Sequence, residues 1–275
     1  AESSNIVMDE ESLKLFQQQT RVKRALEYAV EYDEIEVYYQ PLVDSRTEKI
    51  VGAEALARIR DAEGKMISPG VFIPIAERNG RINQVGEQVF KKVCRFIHEN
   101  DIERAGISWI NVNVSPIQCM RQDLNERFIE LLRRYEVPPQ YVHLEITEES
   151  MIDYVLLQKQ IEEMEKRGLR FVLDDYGTGY SNVARMKHVP FINVKLDMSL
   201  VWDYYHEPDK ILPTLVETFK QMGFTVTAEG VESGEMARAM REIGCDYLQG
   251  FHFYKPLPSQ DFAEMLGRIA KENVS

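Results

Sequence analysis

The side chains of this sequence that could do chemistry are oxygen-rich, and they gather by position in short segments rather than in one local motif. Asn113, Glu145, Asp174, Asp175, Lys195, Glu229 and Gln249 each stand late in a run of mixed apolar and polar residues. In an extended run successive side chains fall on opposite faces. Ile110, Val112 and Val114 oppose Asn111 and Asn113, and Val142, Leu144 and Ile146 oppose His143, Glu145 and Thr147. Val194 and Leu196 likewise oppose Asn193, Lys195 and Asp197, while Val226 and Ala228 oppose Thr227 and Glu229. Upstream, Glu54 and Arg58 share one face of their run. An unpaired carboxylate taken out of water is costly, so several converging on one place require a compensating cation. Carboxylate and amide oxygens suit hard ions such as magnesium, manganese or calcium. The chain has no paired histidine or cysteine spacing of the kind that holds zinc.

Each residue alone has an ordinary reading. A single Glu or Asp at a strand end commonly caps a helix or faces solvent. Asn113, just before Ser115-Pro116, suits a turn, and Lys195 taken by itself suits a surface charge. Recurrence carries the argument, and residues 174–181, Asp-Asp-Tyr-Gly-Thr-Gly-Tyr-Ser, are its most specific part. Two adjacent carboxylates ending a strand could each face a different ion. A glycine loop that cradles phosphate is the competing reading, but the segment lacks the basic residue such loops supply. His98, His143, His188, His206 and His252 are scattered and read as structural or exposed.

Residues of this kind need strands to hold them. Strand-like runs at 36–40, 50–58, 107–114, 142–147, 171–175, 192–197, 225–229 and 247–250 alternate with helical patterns at 84–99, 124–135, 157–167, 211–222, 234–243 and 262–270. Gly168, Gly223 and Gly244 follow three of these helices where a C-terminal cap is expected. Such alternation predicts parallel strands joined by crossover helices. Eight strands over roughly 240 residues favour a closed barrel, which typically holds about 250, over an open sheet. In a barrel the apolar faces pack on helices, the polar faces point inward, and late strand positions lie at the active-site mouth. Residues 43–49 are too short a link for a helical crossover and suit a hairpin, so one strand should run against the rest. Residues 1–35 read as a tail and linker helix, with Leu13, Phe16, Val22, Leu26 and Val30 spaced near one helical turn, and residues 36–275 read as the barrel.

Composition agrees with that frame. The 275 residues are 44% apolar and 28% charged, enough for a substantial core in one large domain or two small ones. With 15 Gly and 11 Pro, the mixture argues against a coiled coil, a collagen-like fibre or a long disordered tail. No apolar run approaches the roughly 18 residues of a membrane span, and no basic segment leads into an apolar one at the N-terminus. The expectation is a cytoplasmic protein, or a soluble piece of a larger one, with no membrane contact by this segment. Cys94, Cys119 and Cys245 are odd in number and far apart, which suits core thiols in a reducing compartment. A net charge of -12 argues against binding duplex nucleic acid, because a basic face is what releases counterions from the phosphate backbone. An anionic substrate would need metal or local arginine.

The motifs also carry a resemblance. Glu54-Ala55-Leu56, within the run Gly-Ala-Glu-Ala-Leu-Ala-Arg at 52–58, resembles the signature of the EAL-domain cyclic-di-GMP phosphodiesterases. The resemblance runs from about Val37 to Met265. It takes in Tyr39-Gln40-Pro41-Leu42, Phe72-Ile73-Pro74-Ile75-Ala76-Glu77, Asn113-Val114-Ser115, Leu144-Glu145-Ile146-Thr147-Glu148, the 174–181 segment, Lys195-Leu196-Asp197, Ala228-Glu229-Gly230-Val231-Glu232 and Leu248-Gln249-Gly250. It implies a TIM-like (β/α)8 barrel with the first strand antiparallel to the others, two Mg2+ or Mn2+ ions with Ca2+ inhibitory, and hydrolysis of cyclic di-GMP to linear pGpG. Carried over by motif, Glu54, Asn113, Glu145 and Asp174 would hold the first ion. Asp174 and Asp175 would hold the second, with Glu229 binding it directly or through water. Lys195 would be the catalytic lysine and Gln249 would orient water or a ligand. Arg58 and Gln40 would contact the phosphate and guanine of the substrate, and Glu148 would anchor the loop beginning at Asp174. Ala57 and Ile59 stand where bulkier residues are usual, and Tyr176 and Asn182 where Phe and Ser are commoner; none of these changes removes a ligand. The resemblance further implies a homodimer through the barrel face near 174–181, and fusion to or regulation by sensory or GGDEF domains.

Two divalent ions roughly 3.5 to 4 Å apart can share a water, lower its pKa and steady the attacking and leaving oxygens of an in-line displacement. They also offset repulsion between an acidic protein and an anionic substrate. Lys195 admits two roles, as general base or as a charge that orients water and phosphate. Its ordinary pKa near 10.4 bars the first at neutral pH, while burial and two nearby cations would depress it. Because degenerate members of the family typically lose a metal ligand, the resemblance favours an enzyme over a barrel that only senses cyclic di-GMP or docks a partner. A sugar hydrolase with paired carboxylates would leave Asn113, Lys195 and the Asp174-Asp175 pair without roles.

Overall fold

The computed structural model describes residues 10–147, 154–178, 186 and 189–273. Its strands in chain order are β1 (Glu36–Asp44), β2 (Ile50–Arg60), β3 (Met66–Ile67), β4 (Trp109–Asn113), β5 (Val142–Thr147), β6 (Arg170–Tyr176), β7 (Phe191–Leu196), β8 (Thr225–Ala228), β9 (Tyr247–Leu248) and β10 (Leu257–Pro258). β1 and β2 form the expected hairpin, with Gln40 opposite Glu54 and Val43 opposite Ile50. From β2 the ladder runs through β4, β5, β6, β7 and β8 to β9, every neighbour parallel, and β9 returns to β1 antiparallel. The result is a closed eight-stranded barrel whose first strand opposes both neighbours. β3 and β10 are short additions on the ends of β2 and β1.

The alternation in each strand explains the closure. Val142, Leu144, Ile146, Val194, Leu196, Val226 and Ala228 are almost wholly buried. Helix Ile82–Glu99 brings Phe90 onto Phe128 of helix Leu124–Arg134, ring centroids 3.9 Å apart. Phe96 and Phe262 pack on Tyr39 of β1 at 4.4 and 5.1 Å. Each such ring contributes about 1.5–3 kcal/mol when fully buried. Gly168, Gly223 and Gly244 take φ of 96°, 90° and 99°, the left-handed geometry expected of a helix-ending glycine. Cys94, Cys119 and Cys245 are free and buried, and burial pushes each thiol up to about 12.

Helix Glu10–Glu31 packs on the barrel through Val22, Leu26, Ala29 and Val30, whereas Leu13, Leu15 and Phe16 are exposed. Arg21 pairs with Asp61 in the turn after β2. No helix among the described residues is long and apolar enough to cross a membrane.

The structure adds helices that periodicity does not reveal, chiefly Pro69–Arg78 and Met198–His206. Pro74 interrupts the first pattern and the ring-rich run Trp202-Asp203-Tyr204-Tyr205 blurs the second. Glu229 and Gln249 lie just past β8 and β9 rather than inside them.

The barrel interior has two layers. In the lower one Trp109 stacks on His143 at 5.3 Å and meets Tyr247 edge-on at 5.1 Å. Asn193 donates to Thr225 Oγ1 at 2.9 Å and accepts from Thr227 Oγ1 at 3.0 Å. Burial, with Arg170 adding to it, pushes His143 down to about 3, so the lower layer is uncharged. The charged groups are all above it.

Candidate active site

Parallel strands bring residues far apart in sequence to one height at the barrel mouth. Asn113 at the end of β4 pairs in register with Glu145 on β5, and Thr147 of β5 with Asp174 on β6. Lys195 comes from β7, and Glu229 and Gln249 from the segments just past β8 and β9.

Lys195 is fully buried at the centre. Its Nζ lies 3.0 Å from Glu54 Oε2, 2.8 Å from Glu145 Oε1, 3.1 Å from Asp174 Oδ1 and 2.8 Å from Glu229 Oε1. One ammonium therefore faces four carboxylates. Amides hold two of them: Asn113 Nδ2 donates to Glu54 Oε1 at 2.8 Å, Gln249 Nε2 to Glu54 Oε2 at 2.8 Å, and Asn111 Nδ2 to Glu145 Oε1 at 2.7 Å. Among the described residues, Glu145 Oε2 is buried without a hydrogen-bond partner.

Titration follows from this crowding. Burial works to raise Glu54, but Lys195, Gln249 and Asn113 outweigh it and hold that carboxyl below its usual value. Burial, reinforced by the charge of Glu54, drives Glu145 well above the carboxylate range. Asp174 is raised by burial with Glu54 adding, against the pull of Lys195. Burial and the adjoining Asp174 push Asp175 up to about 6. Burial pushes Glu229 up to about 8, with Lys195 opposing and Asp174 and Glu54 adding. Lys195 is held well above its usual value, since the four carboxylates overcome the desolvation of its ammonium. The mouth has more negative charge than its own cation neutralises.

Among the described residues, two groups of oxygens lie close enough together to hold a metal ion: Glu54, Glu145 and Asp174, and Asp174, Asp175 and Glu229, each with its ligand atoms within 4.8 Å of one another. Asp174 belongs to both. A regular strand would send adjacent residues to opposite faces. Here the β6–β7 register shifts between Leu173 and Tyr176, and Asp175 takes φ 54°, a left-handed conformation that Asp tolerates better than most residues. The irregularity lets both carboxylates face one mouth.

Cavities of about 590 and 320 Å3 open on the two sides of Glu54 and Asp175, which line both. The larger is mostly apolar, with Ile73, Pro74, Val85 and Val89, and the smaller presents Gln40, Asp197, Glu229, Gln249 and Phe251. Gln40 donates to the Tyr254 carbonyl at 3.2 Å and accepts from Gln249 at 3.3 Å, which places it beside the cluster. Arg58 stands farther along β2. It lies over the Tyr38 ring at 5.5 Å and donates to the Ala57 carbonyl, outside the carboxylate group. Glu148 lies outside the described residues. Asn111 shared the polar face of its strand with Asn113 but gave no sequence signal of its contact with Glu145. Ser115 Oγ donates to Glu77 Oε1 at 2.6 Å, tying the loop after Asn113 to helix Pro69–Arg78, another link that spacing does not reveal.

The EAL domain family model matches residues 23–256, and the chain belongs to that family. Signaling protein YkoW of Bacillus subtilis is 31% identical over 264 residues, 94% of this chain and 32% of YkoW. The probable cyclic di-GMP phosphodiesterase PdeI of Escherichia coli is 33% identical over 277 residues, 98% of this chain and 35% of PdeI. The chain thus spans about a third of the length of these relatives. The solved structure of the PaMucR phosphodiesterase in complex with c-di-GMP is 30% identical, with a TM-score of 0.82 covering 88% of this chain and 99% of that one.

Proposed function

We propose that this EAL-family chain hydrolyses one phosphodiester bond of cyclic di-GMP to give linear pGpG, using two divalent cations, Mg2+ or Mn2+, at the barrel mouth. The observation that carries the reading is the shared carboxylate: two oxygen-only groups meet at Asp174. Glu54, Asn113, Glu145 and Asp174 are assigned to one ion, and Asp174, Asp175 and Glu229 to the other. Hard oxygen donors fit such ions, and the buried Glu145 Oε2, which has no hydrogen-bond partner among the described residues, offers lone pairs that a cation would satisfy. When bound, the ions would lower the pKa of water and offset the charge that builds on the attacking and leaving oxygens.

The protein's own groups set the geometry. Lys195 is read as a charged donor that orients water and phosphate, because its carboxylate neighbours favour the ammonium. Gln249 bridges Glu54 and Gln40 and so links the first group to the smaller cavity. Gln40 and Arg58 are assigned to the guanine and phosphate of the substrate, and Glu148 to anchoring the loop after Asp174. Cavities on both sides of the cluster give room for the two halves of a dinucleotide. The reading carries a cytoplasmic location and a homodimer, and the extra length of the relatives supports sensory or GGDEF domains in a longer protein.

The test is incubation of purified protein with cyclic di-GMP and Mg2+ or Mn2+, with and without chelator, followed by chromatography of the product. Metal-dependent pGpG supports the proposal, and Ca2+ should occupy the site without turnover. Tight binding with no pGpG in the presence of metal would overturn hydrolysis in favour of sensing.

A further inference from the structure

Glu229 stands just past the end of β8, tied to β7 by its own N–H, which donates to the Leu196 carbonyl at 3.2 Å. The last pair of the β7–β8 ladder is Leu196 with Ala228, so Glu229 lies beyond it. Between that bond and those of Val231, the backbone at Gly230 is held from the helix Met198–His206, which follows β7. Asp197 starts that helix by accepting from Ser199 N at 2.9 Å, and its own N–H donates to the Tyr176 carbonyl at 3.1 Å, which ties the helix to β6. One turn further, the indole Nε1–H of half-buried Trp202 donates to the Gly230 carbonyl at 2.9 Å. Gly230 has φ 66°, and a Cβ there would stand 2.4 Å from Met198 Cβ, so the backbone lies directly against the helix. From the other flank, Val231 N donates to the Gln249 carbonyl at 3.1 Å, and a Cβ on Gly250 would stand 2.1 Å from the Val231 carbonyl oxygen. No side chain but glycine fits either approach.

We propose that Trp202 is a positioning residue: its indole donor fixes the 229–231 backbone and so sets where the Glu229 carboxylate stands relative to Lys195, Asp174 and Asp175. The inference rests on the two-ion reading above. Trp202 touches none of the carboxylates and no reacting atom. Its effect passes through one hydrogen bond to the residue after Glu229. Ligand sets work only when held to about 0.5 Å by the groups around them, and a segment past the end of its ladder needs an outside contact to meet that tolerance.

Trp202→Phe keeps an aromatic ring and deletes the donor. Mn2+ binding to chelator-stripped wild-type and variant protein is measured by titration calorimetry, alongside melting curves and steady-state kinetics. The loss of one neutral hydrogen bond should weaken the looser of two Mn2+ sites by about threefold to tenfold. kcat should fall at limiting Mn2+ and recover at high Mn2+, with KM for cyclic di-GMP unchanged. If the variant melts lower yet binds Mn2+ as the wild type does, Trp202 only packs and the inference fails. Identical melting and binding would overturn it as well. Wild-type protein that binds no Mn2+ would instead sink the two-ion reading itself, and the inference with it.

Discussion

Stripped of divalent ions, this protein should become more stable as the pH is lowered from about 8 to about 6.5. Glu229 supplies most of the effect. Its carboxyl titrates at 4.5 when exposed but is pushed up to about 8 in the fold. Across this window the folded chain takes up a proton that the unfolded chain does not, so unfolding becomes harder as pH falls. Traversing about 1.5 pH units at 1.36 kcal/mol each gives about 2 kcal/mol. At about 2–4 °C per kcal/mol for a large domain, the melting temperature should rise by about 4–8 °C. Glu145 and Asp174, also raised, act in the same direction. Lys195 and the buried thiols, all raised, titrate above the window, and Glu54, lowered, titrates below it. Below about pH 6.5 two further groups oppose each other: His143, pushed down to about 3, stays neutral in the fold while an unfolded histidine gains a proton, and Asp175, pushed up to about 6, takes up a proton in the fold before it would in the unfolded chain. Calorimetric melts of chelated protein at the two pH values decide the matter. Glu229→Gln should remove most of the rise, and saturating Mn2+ should abolish it. A melting temperature of the chelated wild type that is flat or falls from pH 8 to 6.5 would refute the argument that the mouth holds uncompensated acid.

Other expectations follow from the same contacts. Asp174→Asn removes the carboxylate common to both groups and should cut turnover by at least about a hundredfold while leaving the circular dichroism spectrum unchanged; a near-wild-type rate would end the metal assignment. Asn111→Ala removes the amide donor from Glu145 Oε1, leaving it to Lys195, without touching a proposed ligand, and Mn2+ affinity by calorimetry should drop by about tenfold to a hundredfold, whereas an unchanged affinity would make Asn111 mere filling. Lys195→Met strands buried carboxylates without their counter-charge, which should cost the chelated protein about 3–5 kcal/mol in urea unfolding at about pH 8 and less at lower pH. Equal stability of variant and wild type would show that Lys195 does not hold the cluster together.

How much of this was legible in the sequence depends on what strand alternation can encode. Val226-Thr227-Ala228-Glu229 and Val194-Lys195-Leu196 show two chemically distinct faces because both sides of a barrel strand are buried, one against helices and one inside. That difference puts Asn113, Glu145, Lys195 and Glu229 on the inner face, and the seven-residue link at 43–49 requires β1 to turn back. Register is a different matter. Asn111 reaches Glu145 only because β4 and β5 are offset so that Asn113, not Asn111, is opposite it. Asp175 joins Asp174 only through a left-handed residue and a register shift, both of which a period-two reading treats as impossible. Trp202 acts from a helix whose aromatic run hides its period.

The contrast between the two interior layers bears most directly on function. A barrel interior can be polar and still complete in itself, as the Asn193, Thr225 and Thr227 side chains demonstrate by satisfying one another beneath the mouth. Had the upper layer followed that pattern, its acids would be matched by donors and their titration would stay near ordinary values. Instead four carboxylates share one ammonium, Glu145 keeps a buried oxygen without a partner among the described residues, and Asp175 and Glu229 are pushed up to about 6 and about 8. Burying unmatched charge costs several kcal/mol per group, and the fold concentrates that cost in one layer while leaving the layer below neutral. A polar interior needed only for packing would not show this division. A site completed by cations that the chain does not itself supply would, which is why the excess of acid over base at the mouth argues for metal-dependent chemistry more strongly than any single residue there.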